Sequence, residues 1–391
     1  MRILHVLPSL DPTTGGPAEG MRRLAEGYLH AGHEVEITTL DDPRAPFLAS
    51  LPFPVWPQGP AFGVYGYTPR LLPWLRQNAS RFDGIVVNGL WQYHGLAAWR
   101  AFHGRHRYAV FTHGMLDPWF KAKYPLKHMK KWIYWLLVEY RLLRNATRVL
   151  FTSEAEQRLA EKSFWLHHWH GQVVPYGTSG PTGDPGIQRE EFLRLCPALA
   201  GKRFLLFLGR IHPKKGCDLL IDAFAQAASN NAGLQLVVAG PDQKGWRVKL
   251  EARAQQLSVG HRIHWPGMLS GDAKWGAFYE ADAFILPSHQ ENFGIAVAEA
   301  LACGLPVLMS DKVNIFAEVQ EDGAGLVESD TLEGTISLIR CWLALSEVDR
   351  IRMRANAKQS FESRYNSMLL PDTISSIFNQ PVNRESSEIN Y

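Results

Sequence analysis

Two carboxylates eight positions apart are the most chemically suggestive feature of the chain: Glu291 and Glu299, in Glu291-Asn292-Phe293-Gly294-Ile295-Ala296-Val297-Ala298-Glu299. A helix starting near Asn292–Gly294 puts Glu291 in the turn just before it and Glu299 about two turns further on. The free amides of Asn292, Phe293 and Gly294 then suit an anion or hydroxyl group brought to that turn. Taken alone, the spacing fits better one acid favouring the helix dipole and one solvated acid. The surroundings of Glu299 shift the balance, because Ile295–Leu301 is apolar and a carboxylate there is expensive without a partner.

Three further groups follow apolar runs of strand length. Gly209-Arg210 and Lys215-Gly216 come after Phe204–Leu208. A guanidinium fork and an ammonium point charge suit a diphosphate, although two surface cations fit the same residues. Gly15-Gly16-Pro17 comes after Ile3–Leu7, where missing side chains let backbone approach a ligand. It is neither G-x-G-x-x-G nor a P-loop, and a plain turn explains it too. His113, in Thr112-His113-Gly114, ends another strand-like run. Taken by itself, a satisfied structural histidine fits that position more readily than a site residue.

The elements that must hold these residues come in two series. Ile3–Leu7, Val35–Leu40, Gly84–Val87, Ala109–Thr112, Arg148–Thr152 and Gln172–Pro175 are expected strands, and Met21, Leu24, Ala25, Tyr28 and Leu29 recur at helical spacing. The uncharged stretch between Arg44 and Arg70 carries six prolines and is expected to be a long ordered loop. Residues 176–200 are rich in Gly and Pro and are expected to be a linker. Phe204–Leu208, Leu234–Ala239, Arg262–Trp265, Ala283–Leu286, Pro306–Met309 and Gly325–Val327 form the second strand series, with helices between. Such alternation predicts an α/β chain of two doubly wound parallel sheets, with ligands at the carboxyl ends of the strands and in the cleft between the domains. The expected division is 1–180 and 181–366. The polar stretch Pro381–Tyr391 is expected to be a disordered tail.

Composition narrows the function. The chain has 391 residues, 46% hydrophobic and 20% charged, as ordinary globular enzymes do. A net charge of +3 makes nucleic acid an unexpected partner. Cys196, Cys217, Cys303 and Cys341 are widely spaced, which fits a reducing, cytoplasmic setting. Met1–Leu10 is too short an apolar run for a secretory signal, and no membrane-spanning helix is expected. Lys121–Arg144 holds seven basic residues against Glu139 alone, with Met129, Trp132, Ile133, Trp135, Leu136, Leu137 and Tyr140 among them. It fits a helix lying on an anionic membrane surface, and equally a helix packed on the first domain with a solvated basic face. His167, His168 and His170 lack the carboxylate or thiolate that would complete a metal site. Aromatic residues reach 11%, with 13 Trp, concentrated in the first half, where sugar rings or a lipid interface would use them.

Taken together, these motifs resemble those of the family 4 glycosyltransferases, which have the GT-B fold of two Rossmann-like domains. The resemblance rests on Gly209-Arg210-x4-Lys215-Gly216, on Pro287-Ser288 leading into Glu291-x7-Glu299, and on Ala300-Leu301-Ala302-Cys303-Gly304-Leu305-Pro306-Val307. Gly15-Gly16 and His113 fall where the family has acceptor-side loops. The resemblance implies that Arg210 and Lys215 bind the diphosphate of a nucleotide sugar, with Gly15 and Gly16 bringing backbone to the same phosphates. It implies that Glu291, with Asn292, Phe293 and Gly294, orients the donor sugar, that Glu299 holds the ribose, and that His113 lies near the reacting centre. It further implies retention of anomeric configuration with neither cofactor nor divalent metal. That a C-terminal helix at about 367–380 joins the first domain is implied only by this resemblance. One departure is the stretch Val313-Asn314-Ile315-Phe316-Ala317 before Glu318, where the family often has Gly-Gly.

The expected activity is transfer of a sugar from a nucleotide-diphosphate sugar to a glycan acceptor, lipid-linked, in surface polysaccharide biosynthesis. The basic stretch would then place the enzyme at the inner face of the cytoplasmic membrane. Competing readings are a nucleotide-sugar epimerase or a phosphorylase on the same scaffold, and a non-catalytic sugar-nucleotide-binding protein. The presence of all four of Arg210, Lys215, Glu291 and Glu299 argues against the last.

Overall fold

The computed structural model describes residues 1–12, 16–118, 125–229, 231–242 and 245–379; within helices, the side chains of 16–19, 22, 23, 26 and 125–127 are left out of the description. The expectations for Gly15, for 121–124 and for the tail 381–391 therefore lie outside the described residues.

The chain divides into two compact units, Met1–Tyr176 with the segment from Ser367 on, and Gly177–Asn366. Each unit is built on one parallel sheet. In the first, β1 (Arg2–Val6), β2 (Glu34–Thr39), β3 (Val55–Pro57), β4 (Gly84–Asn88), β5 (Ala109–Phe111), β6 (Arg148–Phe151) and β7 (Gly171–Val173) lie in the order β3-β2-β1-β4-β5-β6-β7. In the second, β8 (Phe204–Leu208), β9 (Gln235–Ala239), β10 (Ile263–Gly267), β11 (Ala283–Leu286), β12 (Val307–Ser310) and β13 (Gly325–Glu328) lie in the order β10-β9-β8-β11-β12-β13. Strand order thus reverses between β1 and β4 in one unit and between β8 and β11 in the other. Adjacent connections leave those pairs of strands on opposite faces, which opens a crevice at their carboxyl ends.

Period-two alternation splits the core of the first unit into two layers. Leu4, Val6, Ile85, Val87, Val110 and Val149 face the helices Leu71–Asn78 and Tyr93–Phe102. Ile3, Ile37, Val86, Ala109 and Phe111 face the opposite way, with Met21, Leu24 and Tyr28 of the helix Gly16–His30. The helix Leu370–Asn379 completes that second layer with Leu370, Ile374, Ile377 and Phe378. Strands buried on both faces read as unbroken apolar runs, which is why they are visible in the sequence.

The structure departs from expectation in three places. The proline-rich stretch is not all loop: Val55–Pro57 pairs with β2 as an edge strand, where a missing proline N–H costs nothing. The expected linker contains the helix Pro185–Leu195, with Pro185 in its first turn and the Asp184 carboxylate accepting from the amides of Gly186 (2.7 Å) and Ile187 (3.0 Å). The basic stretch is two helices, Pro125–Tyr134 and Tyr140–Arg144, joined by a π-helical turn over Trp135–Glu139. Trp135 and Glu139 are both buried there, so neither belongs to an exposed face.

Candidate active site

In the second unit the loops after β8 and β11 meet at the strand-order reversal. The Lys214 carbonyl accepts from the Ser288 hydroxyl and the His289 amide, each at 2.9 Å. Gly216 packs against this junction in the left-handed region (φ +67°), where a Cβ would overlap the Pro287 carbonyl oxygen. The result is an ion pair between Lys215 and Glu291, whose side chains are both largely buried. Glu291 is braced from below: its amide donates to the Lys312 carbonyl (2.9 Å), and its carbonyl accepts from the Asn314 amide (3.0 Å). The segment that departs from the family's Gly-Gly pattern therefore supports Glu291 through its backbone.

Arg210 leaves the end of β8 exposed and makes no ion pair or hydrogen bond among the described residues. Gly294 caps the helix Ile295–Ala302 with φ +78°, and its three preceding residues form the turn expected from sequence. The three turn residues do not all stay open to a ligand. Phe293 is buried edge-on against Tyr365 at 5.8 Å, and the Asn292 carbonyl Oδ1 accepts from Asn314 Nδ2 at 3.4 Å. Glu299 is 5% exposed, and its Oε1 accepts from the Lys274 ammonium at 2.9 Å. Lys274 is the counter-charge that the apolar setting of Glu299 demanded. It stands 25 positions away on the helix Gly271–Glu280, with its ammonium 4.2 Å from the Trp275 ring centroid. Nothing in the sequence ties those two helices together.

In the first unit the reversal between β1 and β4 opens a cavity of about 250 Å³ lined by Leu7, Pro8, Ser9, Met21, Asn88, Gly89, Gln92, His113 and Met115. His113 adopts a left-handed backbone (φ +48°), uncommon for a residue with a side chain. Glu156 secures the residues on either side of it. Its Oε1 accepts from the Thr112 hydroxyl (2.7 Å) and the Gly114 amide (2.6 Å). The His113 ring stacks on Phe111 with centroids 4.2 Å apart, and loss of water pushes its pKa down to about 4. Gly16, expected in a turn before the helix, is instead the first residue of the helix Gly16–His30, ten positions after the end of β1. Sequence reasoning did not single out Asn88, Gln92, Ser9 or Glu156. The only signal for them was position: Asn88, Gln92 and Ser9 lie at the carboxyl end of a strand or in the turn that follows, and Glu156 in the first turn of the helix Glu154–Ala160 after β6. Among the described residues no cluster of His, Cys, Asp and Glu is arranged to hold a metal ion, and His168 and His170 are both exposed.

Comparison with known proteins places the chain by family and fold. The family described as "Glycosyl transferases group 1" matches residues 192–360, and the "Glycosyl transferase 4-like domain" matches residues 15–177. The two matches together span most of the chain, which belongs to this glycosyltransferase family. D-inositol 3-phosphate glycosyltransferase of Segniliparus rotundus is 32% identical over 239 residues, covering 59% of this chain and 51% of that protein. The chain spans between 35% and 51% of the length of the curated relatives it matches. Anabaena HepE, solved in complex with UDP-glucose, superposes with a TM-score of 0.73 at 18% identity, covering 96% of this chain and 98% of that one. Sucrose-phosphate synthase from Thermosynechococcus elongatus gives 0.72 at 20% identity, covering 97% and 98%. These likenesses show the fold, GT-B with two Rossmann-like halves.

Proposed function

We propose that this chain is a retaining, metal-independent glycosyltransferase that moves a sugar from a nucleotide-diphosphate sugar to a glycan acceptor, lipid-linked, in surface polysaccharide biosynthesis. The observation that carries the reading is the Lys215–Glu291 pair at the strand-order reversal of the second unit, with the exposed Arg210 at the end of β8. A paired lysine can exchange its carboxylate for a diphosphate when donor arrives. Glu291 is then released to accept from donor-sugar hydroxyls, while Arg210 adds a guanidinium fork to the phosphates. The second carboxylate, Glu299, is held by Lys274 and suits the ribose hydroxyls. HepE was solved with UDP-glucose, which supports the choice of a nucleotide-sugar donor.

In the reaction, the bond from the anomeric carbon to the diphosphate oxygen breaks, and a bond from that carbon to the acceptor oxygen forms on the same face. The acceptor proton passes to the departing phosphate oxygen. Arg210 and Lys215 stabilise the charge that builds on the leaving diphosphate, which is the term enzymes of this kind need most. His113, in the cavity of the first unit, contacts the hydroxyls of the reacting sugars. The basic helices at 125–144 hold the enzyme on an anionic lipid surface, where a lipid-linked acceptor resides. No described helix is long and apolar enough to cross a membrane.

Incubation with a panel of nucleotide sugars tests the class. Slow release of nucleoside diphosphate is expected with one of them, and Lys215→Ala should lower that turnover by about 10²-fold with the fold intact. An isomerised but intact donor would make the protein an epimerase. No release from any donor, or full activity in Lys215→Ala, would overturn the assignment.

A further inference from the structure

Behind His113 lies a line of buried polar side chains that the transfer reaction does not call for. Asn88, at the end of β4, stands between His113 and His5 of β1. Its Oδ1 is 3.2 Å from His113 Nε2, and its Nδ2 is 3.1 Å from His5 Nδ1 and 3.2 Å from the Val86 carbonyl oxygen. His5 Nε2 continues the line to the Tyr28 hydroxyl at 3.2 Å. His5, Asn88 and Tyr28 are buried. The Asn88 backbone is held as well, since His94 Nε2 lies 2.9 Å from its carbonyl oxygen.

The protons in this line can be assigned by elimination. A backbone carbonyl only accepts, so the side facing Val86 must be the Asn88 NH₂ group. That places Oδ1 toward His113, and an amide oxygen also only accepts, so Nε2 of His113 carries the proton. His5 Nδ1 accepts from Asn88, which leaves the His5 proton on Nε2 to donate to Tyr28. We infer that Asn88, braced by His5, is a positioning residue that fixes the tautomer of His113, leaving Nδ1 as the bare acceptor nitrogen of that ring. The ring itself is held in plane by Phe111 and its backbone by Glu156, so the remaining freedom is which nitrogen bears hydrogen. Burial keeps both rings neutral, with His113 pushed down to about 4 and His5 to about 3. A neutral ring with a free Nδ1 takes a hydrogen bond from a substrate hydroxyl and donates none from that atom. The role rests on the reading that His113 meets substrate; the tautomer itself does not.

Nitrogen NMR of the full chain labelled with ring-¹⁵N histidine provides the test, because protonated and bare ring nitrogens resonate far apart. The His113 signals are identified by their loss in His113→Gln. At neutral pH Nε2 is expected in the protonated region and Nδ1 in the bare region. In Asn88→Leu, which removes the acceptor, the His113 pattern should change toward the other tautomer. The kcat of Asn88→Leu should fall at least about tenfold, with the donor KM changed by no more than about twofold. A proton on Nδ1 of His113 in the wild-type chain overturns the inference, and so does an unchanged tautomer and kcat in Asn88→Leu. If that variant does not fold, the wild-type spectrum alone decides. A chain with the expected tautomer but no turnover of any donor overturns the transferase reading and leaves the tautomer assignment standing.

Discussion

At the scale of single residues, this chain carries several ionisable groups held out of water, and their shifts have opposite signs. His5 is lowered to about 3, and His94 and His113 to about 4, in each case chiefly by burial. The unfolded chain takes up protons at these histidines near pH 6.5, whereas the native chain does so only two or more pH units lower. Acid therefore favours unfolding across that window. Glu139 acts the other way: burial raises it to about 8, so the native state binds its proton at pH values where an unfolded glutamate is still ionised. Each group contributes up to about 1.4 kcal/mol per pH unit. Between pH 8 and 6.5 only Glu139 acts, and stability should rise as pH falls. Below 6.5 these three histidines, joined by His264, which burial also lowers, oppose one glutamate, and stability should drop by roughly 3 kcal/mol per unit. Urea midpoints measured from pH 8 to 5 should therefore peak near 6.5. A monotonic rise from 5 to 8 would mean that Glu139 is not protonated in the native state. None of this was legible in the sequence. His5 is one polar residue in an apolar strand, and Glu139 counted as a lone acid among bases. Glu291 and Glu299 were legible because their spacing and apolar flank are local. Lys274 was not, because its role depends on how two separate helices pack.

At the scale of elements, the two helices around the π-helical turn show what one-dimensional pattern can and cannot settle. The mixture of bases and aromatics in Lys121–Arg144 suggested a surface helix, but not which aromatics face outward. Trp135 is fully buried and stacks on Phe164 at 4.2 Å, and its indole N–H donates to the Leu166 carbonyl at 2.8 Å. Trp132 stacks on the exposed Trp165 at 5.7 Å. The outward apolar face is instead Met129, Ile133, Leu136 and Leu137, between 44% and 66% exposed, at spacings of four, three and one. Lys130, Arg141 and Arg144 are exposed on the same pair of helices. Large aliphatic side chains facing water with cations beside them suit an anionic lipid interface better than bulk solvent. Each such side chain contributes roughly 1.5–3 kcal/mol when it leaves water. Ile133→Asp with Leu137→Asp should accordingly cut sedimentation with anionic vesicles by at least about tenfold, while circular dichroism stays unchanged because neither side chain is in the core. Equal recovery on neutral and anionic vesicles, or undiminished binding by the variant, would make this face a solvated one.

At the scale of the whole molecule, the alternation of strands and helices made the two sheets legible, but the return of the chain to the first unit rested on the family resemblance alone. The structure gives that return a physical basis. Leu370, Ile374, Ile377 and Phe378 join the layer built by Ile3, Ile37 and Val86. The Phe378 ring lies over Gly84, where a Cβ would overlap it, so the glycine that begins β4 makes the room. The Arg107 guanidinium then donates to the Ile377 carbonyl (2.7 Å) and the Phe378 carbonyl (2.8 Å), satisfying the last carbonyls of the helix. The second unit has its own fully buried side chains, Phe192, Phe204, Phe207, Phe224 and Phe278 among them. Two cores carried by one chain should answer separately to damage. Phe378→Ala removes a side chain 7% exposed, at a cost of about 3–5 kcal/mol. In a domain of that size this lowers a melting temperature by roughly 10 °C. Scanning calorimetry of the full chain should show that shift in one transition while the other stays in place. Phe192→Ala, in the second unit, should move the transition that Phe378→Ala left alone. If both variants displace a single common transition by the same amount, the units melt together, and the boundary at Tyr176 and Ser367 marks topology rather than independent stability.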